Sequence, residues 1–295
     1  MKNYFAILSL SLLYACASPI YKPFPIEAGS KIKNSDVVLG VAQKEIIGEI
    51  LPAGPAGGGI LGAIIEVSIN ASRATAAEAA IVPVRDQLLN FNAEEHLQGA
   101  VKRLVMPISW VGNGSLALSK IVTVAEYDKR LTASEKNAVL ILTVAYSLSP
   151  DFKNVKVYCT ANLFPNTDEL RKMQFDLYRS NSTINQADAI KTSMFNALYH
   201  NTLTYSKPLD VTVTDLNGAA AAWAANNGSK VNAALNEGVE AIVAMLALDL
   251  QTQNNLSAPG KKVEGKVESY QVTVAGQSLD VVRSEKGTMS ATGKN

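Results

Sequence analysis

Residues 137–164, NAVLILTVAYSLSPDFKNVKVYCTANLF, constrain the fold more than any other stretch. Two runs of strand-forming residues flank Ser149-Pro150-Asp151-Phe152, a turn cluster in which proline presets the backbone. The first run is apolar on both faces, with Leu140, Leu142 and Val144 opposed to Val139, Ile141 and Ala145. A strand with no polar face has to lie inside a sheet that is covered on both sides. The second run alternates Val155, Val157 and Cys159 against Lys156, Tyr158 and Thr160, as suits a half-buried neighbour. An antiparallel hairpin with a central first strand follows, and the rest of the chain has to cover it.

The covering elements are helical. Residues 60–90 carry alanines 71, 74, 76, 77, 79 and 80 and read as a helix that Pro83 should kink or break, since proline removes a backbone donor. Residues 93–105 place Leu97, Val101, Leu104 and Val105 at helical spacing. Residues 217–250 form a long helix or helix pair interrupted near Asn226-Asn227-Gly228. Its second part carries a stripe of Val231, Leu235, Val239, Ile242, Val243, Leu246 and Leu250 that needs a partner surface, for which the sheet is the obvious choice. Residues 36–51 read as one or two strands, residues 184–199 as a helix, residues 202–206 as a short strand and residues 263–289 as a small hairpin. The fold class expected is α+β, an antiparallel or mixed sheet centred on the 137–164 hairpin and packed by long alanine-rich helices. The domain plan is a signal peptide over residues 1–15, a tether over 16–34, a main domain over 35–250, and a linker with a small β segment over 251–295.

The N-terminus speaks to compartment. MKNYFAILSLSLLYACAS has a short start carrying Lys2, an apolar run of about a dozen residues, and a small residue before Cys16. The run falls short of the roughly 20 residues that span hydrocarbon and reads as a signal peptide. At Leu13-Tyr14-Ala15-Cys16 it resembles the lipobox of bacterial lipoproteins, although Tyr14 stands where that pattern favours a smaller residue. The resemblance implies cleavage before Cys16 and acylation of that residue with diacylglycerol and palmitate. It also implies residence in the cell envelope, with Ser18 rather than an aspartate near the cysteine pointing to the outer membrane and a body facing the periplasm. The competing readings are an ordinary secretory signal cut after Ala15 or Ala17, and an uncleaved anchor. Residues 18–34, with three prolines and polar punctuation, look like a spacer that holds the body off the bilayer. The YSLSPDF hairpin, the helix ending MLALDL and the final VVRSEKGTMSA together look like uncharacterised bacterial envelope lipoproteins, a resemblance that carries no activity.

With Cys16 acylated, Cys159 has no disulfide partner, and its place on the Val155, Val157, Ala161 face makes it a buried structural thiol. Cleavage at residue 15 would remove Lys2 alone and leave 26 basic against 26 acidic residues, so nucleic acid is not an expected partner. The segment GPAGGGILG, residues 54–62, matches the G-x-G-x-x-G of dinucleotide loops. The second parallel strand and the ribose-binding acid that such a site needs are missing downstream, and no cofactor is expected. The same glycines at spacing four, Gly54, Gly58 and Gly62, fit either a flexible entry into a helix or a close-packing face within the fold or between subunits. His96 and His200 lie in different elements without metal spacing. His96 belongs on a solvated helix face and His200 at an element boundary, while Glu94-Glu95 and Asp168-Glu169 look like helix-start charges.

These readings assign no catalytic, metal or cofactor residue, and name Cys16 as the lipid attachment site. The expectation is a lipid-anchored envelope protein, leaning away from enzyme, that meets membrane lipid through Cys16 and an envelope protein partner in assembly or maintenance. A lipid-tethered hydrolase or polymer-binding enzyme is the alternative, and a self-assembling homo-oligomeric subunit a further one.

Overall fold

A computed structural model describes residues 21–49, 71–111, 114–119, 124–179, 197–252, 262–264, 267–284 and 287–294. The expected signal peptide, Cys16, the GPAGGGILG segment and most of the helix expected over 184–199 lie outside them. The fold is α+β, as expected. Strands β1 (Ser35–Val41), β2 (Ile47–Gly48), β3 (Leu116–Ser119), β4 (Ala138–Leu148), β5 (Asn154–Pro165), β6 (Tyr199–Pro208), β7 (Lys262–Glu264), β8 (Val267–Val274), β9 (Gln277–Arg283) and β10 (Met289–Thr292) join one mixed sheet in the order β3-β1-β4-β5-β6-β10-β9-β8-β7, with β2 beside β4. The pairs β1–β3, β1–β4, β2–β4 and β6–β10 are parallel, and the others antiparallel.

The hairpin forms as its periodicity dictates. Strand β4 is buried along its whole length and β5 alternates at first, half-buried against buried. Its turn closes through Ser149, whose Oγ donates to Asp151 Oδ1 at 2.6 Å and accepts from Asn154 N–H at 3.0 Å. Phe152 takes a left-handed φ of 55°, which turns its ring fully into the core. The carbonyl of Phe152 accepts from Trp223 Nε1 at 2.8 Å, tying the turn to the long helix.

Helices α1 (Ile26–Lys31), α2 (Ala71–Gln87), α3 (Ala93–Leu104), α4 (Val124–Ala133), α5 (Asp168–Arg179) and α6 (Leu216–Thr252) complete the described fold. Helix α6 leaves helical geometry at Ala225–Gly228, where Asn226, Asn227 and Gly228 take left-handed angles, as the Asn-Asn-Gly signal predicts. Gly228 also sits so close to α2 that a Cβ would come within 2.5 Å of Gln87 Cβ. The α6 stripe from Val231 to Leu250 is buried, and the helix packs on β5, β6 and β8 on one side and on α2 and α3 on the other. By length and composition α6 could cross a membrane, but two-thirds of its apolar window is enclosed by the protein, as in a core helix.

Four expectations need correction. Of the kink or break expected at Pro83, the break does not occur, and helix α2 runs through the proline. The proline lies on the exposed side with Ala79, where water can serve the freed carbonyl, while Ala77, Ala80, Ile81 and Val84 pack inward and hold the helix together. Tyr199 begins strand β6 rather than ending a helix, and the short strand expected at 202–206 extends from Tyr199 to Pro208. The expected spacer is folded protein from Tyr21 onward: Phe24, Ala28 and Ile32 enter the core, and Phe24 stacks on Trp110 at 5.0 Å and meets Tyr199 edge-on. Ala28 and Ile32 recur at helical spacing, a signal that the prolines on either side of Phe24 obscure. The C-terminal segment is likewise continuous with the main sheet, because β10 inserts between β6 and β9.

Candidate functional site

The described polar groups converge where the N-terminal segment joins β6. Lys22 and His200 exchange two backbone hydrogen bonds, at 2.9 and 3.0 Å, so the segment prolongs the sheet in the slot below β10. Alternation then divides the side chains between the two faces of the sheet.

On the helix-covered face Asp249, fully buried in the last turns of α6, is the hub. Its Oδ1 accepts from Arg283 Nη2 at 2.5 Å, and its Oδ2 accepts from Tyr199 OH at 2.7 Å and Asn201 Nδ2 at 2.6 Å. Arg283, the last residue of β9, also donates from Nη1 to Tyr21 OH at 2.6 Å. Its Nε lies 3.4 Å from Glu268 Oε2, which accepts a hydrogen bond from Tyr270 OH. The guanidinium stands over the rings of Tyr21 and Tyr270, 5.4 and 5.7 Å from their centroids. Burial works against the guanidinium cation, but Asp249, Tyr21 and Tyr270 together outweigh it and the arginine is held more firmly charged than in water. Burial and the Asp249 charge push the Tyr199 and Tyr21 hydroxyls up, so both serve as neutral donors or acceptors.

On the opposite face His200 Nδ1 meets Asn162 Oδ1 at 2.7 Å. Burial, with a smaller contribution from the Lys22 charge, lowers the imidazole to about 4, so the ring is neutral and its Nδ1–H donates to the amide oxygen. His200 Nε2 is left as an acceptor with no hydrogen-bond partner among the described residues. Lys22 Nζ lies 3.4 Å from Ala197 O, and burial lowers its ammonium to about 8.

Chemically, this arrangement clamps. The charges of Asp249 and Arg283 are matched, both Nη atoms of the arginine donate hydrogen bonds while its Nε has only the Glu268 carboxylate at ion-pair distance, and a buried pair held this way fixes geometry more than it adds stability. One knot joins four distant pieces of chain: the segment at Tyr21, β6, the end of α6, and the β8–β9 hairpin.

The residues singled out in the sequence fall elsewhere. His96 is exposed on α3 and stacks on Phe91 at 5.4 Å, and His200 is buried near the start of β6, so the two do not form one centre. Neither makes a side-chain hydrogen bond to a carboxylate or serine among the described residues, and no cluster of three potential metal ligands occurs there. Glu94 and Glu95 begin α3, and Asp168 and Glu169 begin α5, in the first-turn positions expected of them. Cys159 is buried and burial pushes its thiol up to about 12, as expected of a structural cysteine. Sequence reasoning missed Asp249, Arg283, Tyr199, Asn201 and Tyr21. The one available signal was Asp249 itself, a lone acid at the end of an apolar stripe that must find a cation or solvent. No protein-family profile matches this chain, and no curated protein matches it in sequence.

Proposed function

We propose that this chain is a lipid-anchored bacterial envelope protein whose body faces the periplasm and works through protein contacts in envelope assembly or maintenance. The observation that carries the reading is Leu13-Tyr14-Ala15-Cys16 beneath a dozen-residue apolar run. The clamp is compatible with it: Tyr21 and Lys22 are tied to β9 and β6 within six residues of Cys16, which leaves the N-terminal side of the body close to the anchor. Matched internal charges and the near-neutral composition favour contacts of shape over electrostatic capture of a polyanion. The test is Cys16→Ala in a bacterial host supplied with labelled palmitate. Loss of label and release of the chain from the membrane fraction are expected, and unchanged labelling overturns the reading.

A further inference from the structure

The N-terminal segment is held to β6 at a single residue pair, Lys22 and His200, through two backbone hydrogen bonds of 2.9 and 3.0 Å. Direct partners across an antiparallel pair turn their side chains to the same face, here the face away from α6. His200 is 2% exposed and Lys22 3%, so an imidazole and an ammonium share one enclosed place. The ring is already committed at one nitrogen, where Nδ1–H donates to Asn162 Oδ1 at 2.7 Å. An added proton goes to Nε2, a buried atom with no acceptor among the described residues. It also makes a second cation beside Lys22. A buried cation without an acceptor is unfavourable, and a like charge nearby makes it more so.

Among the described residues Lys22 is the charged group that faces this ring. Asn162, Thr160 and Thr202, its neighbours on the same face of β5 and β6, do not titrate. Tyr21, Tyr199, Asp249 and Arg283 lie across the sheet. The residues flanking the pair differ in how firmly they are held. Tyr21 is half-buried, and Pro23 is exposed and has no N–H with which to prolong the pairing. Phe24 is buried against Trp110 and Tyr199.

We propose that Lys22 and His200 form an acid-sensitive latch: a proton on His200 Nε2 opens the pairing from Tyr21 to Pro23, while Phe24 keeps the rest of the segment in the core. Burial, with a smaller contribution from Lys22, lowers the imidazole to about 4, so the neutral ring keeps the latch closed at neutral pH. The closed state weakens as pH falls from about 6.5 toward 4, because the open state binds the proton more tightly. This opening belongs to the body and stands without an anchor. On the lipid-anchor reading it also lengthens the free chain after Cys16 from five Cα-to-Cα steps to eight, from roughly 18 Å to roughly 29 Å fully extended.

Hydrogen exchange of the full-length chain in detergent micelles, at pH 7 and pH 4.5 with rates corrected for intrinsic exchange, tests the latch. The amides of Lys22 and His200 should exchange roughly 50-fold faster at pH 4.5, the factor by which an imidazole moving from about 4 to 6.5 favours the open state. Amides of β4 should keep their protection and Trp110 emission should not change. His200→Gln should remove the difference, and Cys16→Ala should preserve it, so that failure of the anchor leaves the latch standing. Equal corrected rates at the two pH values overturn the latch. Loss of β4 protection in parallel with Lys22 overturns it as well, since the acid effect is then global unfolding, and so does an acid response that survives in His200→Gln.

Discussion

The two halves of the sheet solve the burial problem by opposite means. Around β4 the solution is apolar. Val37, Leu39, Leu140, Leu142 and Val144 fill one face, while Val38, Val139, Ile141 and Phe164 fill the other beneath Leu131 of α4. From β6 to β8 the helix-covered face instead buries a carboxylate, a guanidinium, an amide and tyrosine hydroxyls that are hydrogen-bonded to one another. An apolar face tolerates neighbours of about the right size, whereas a buried ion pair tolerates only its partners. The apolar half can form from hydrophobic pattern, while the polar half selects which segments meet. The N-terminal segment and the C-terminal hairpin, 262 residues apart at Tyr21 and Arg283, are tied by the second kind of contact.

The sharpest way to break this contrast is to remove one partner of the pair. Arg283→Met leaves the Asp249 carboxylate buried without its guanidinium and should lower unfolding free energy by about 3–5 kcal/mol. Denaturant titration followed by tryptophan emission reads it, and Trp110, stacked on Phe24, reports the N-terminal segment directly. The double variant Asp249→Leu, Arg283→Met should cost clearly less than the two single variants added together. Leu140→Ala in the apolar half should cost about 2–5 kcal/mol. Additive costs for Asp249→Leu and Arg283→Met would show that the two halves do not differ in kind.

Acid provides the next largest difference. His200 titrates near 4 in the folded protein and near 6.5 when unfolded, so between these values the unfolded chain binds the extra proton. Stability contributed at this position is full above about pH 6.5 and is lost as pH falls toward 4, by on the order of 3 kcal/mol at most. His200→Gln should flatten that limb of the stability profile. Lys22, near 8 folded against 10.5, has the same sign in a separate window, and stability should rise from pH 8 to 10.5. A wild-type profile that stays parallel to that of His200→Gln between pH 6.5 and 4 would remove His200 from the account.

The contrast also explains what could be read in the sequence. Periodicity is local, so the 137–164 hairpin, helix α3, the α6 stripe and the Asn-Asn-Gly break were all legible. The knot depends on which residues meet after folding, and nothing within ten residues of Asp249 or Arg283 indicates that they pair. Pro83 and the prolines around Phe24 misled for one physical reason. Local backbone preference was weighed without the burial of Ile81, Val84, Phe24 and Ile32, which outweighs it. The Val124–Ala133 helix, far less apolar overall than α6, was not anticipated, and of the Asp168–Arg179 helix only the start was read, from Asp168-Glu169.

The smallest effects test whether the seam between the halves is as tightly packed as their interiors. Gly238 of α6 sits over β5 and β6, where the solutions meet, and a Cβ there would come within 2.4 Å of Val157 Cγ2 and 2.9 Å of Tyr205 Cδ1. Gly238→Ala should therefore destabilise by about 1–3 kcal/mol despite the better helix propensity of alanine, because two strands would have to move. Gly99 of α3 is the control, since a Cβ there would meet only the flexible end of Arg103 at 3.4 Å. Gly99→Ala should stabilise by about 0.5–1 kcal/mol, the ordinary gain from replacing glycine within a helix. Opposite signs for the same substitution in two helices would place the constraint at the seam itself. If both variants stabilise, the sheet yields at β5 and β6, and the apolar and polar halves are joined more loosely than either is built.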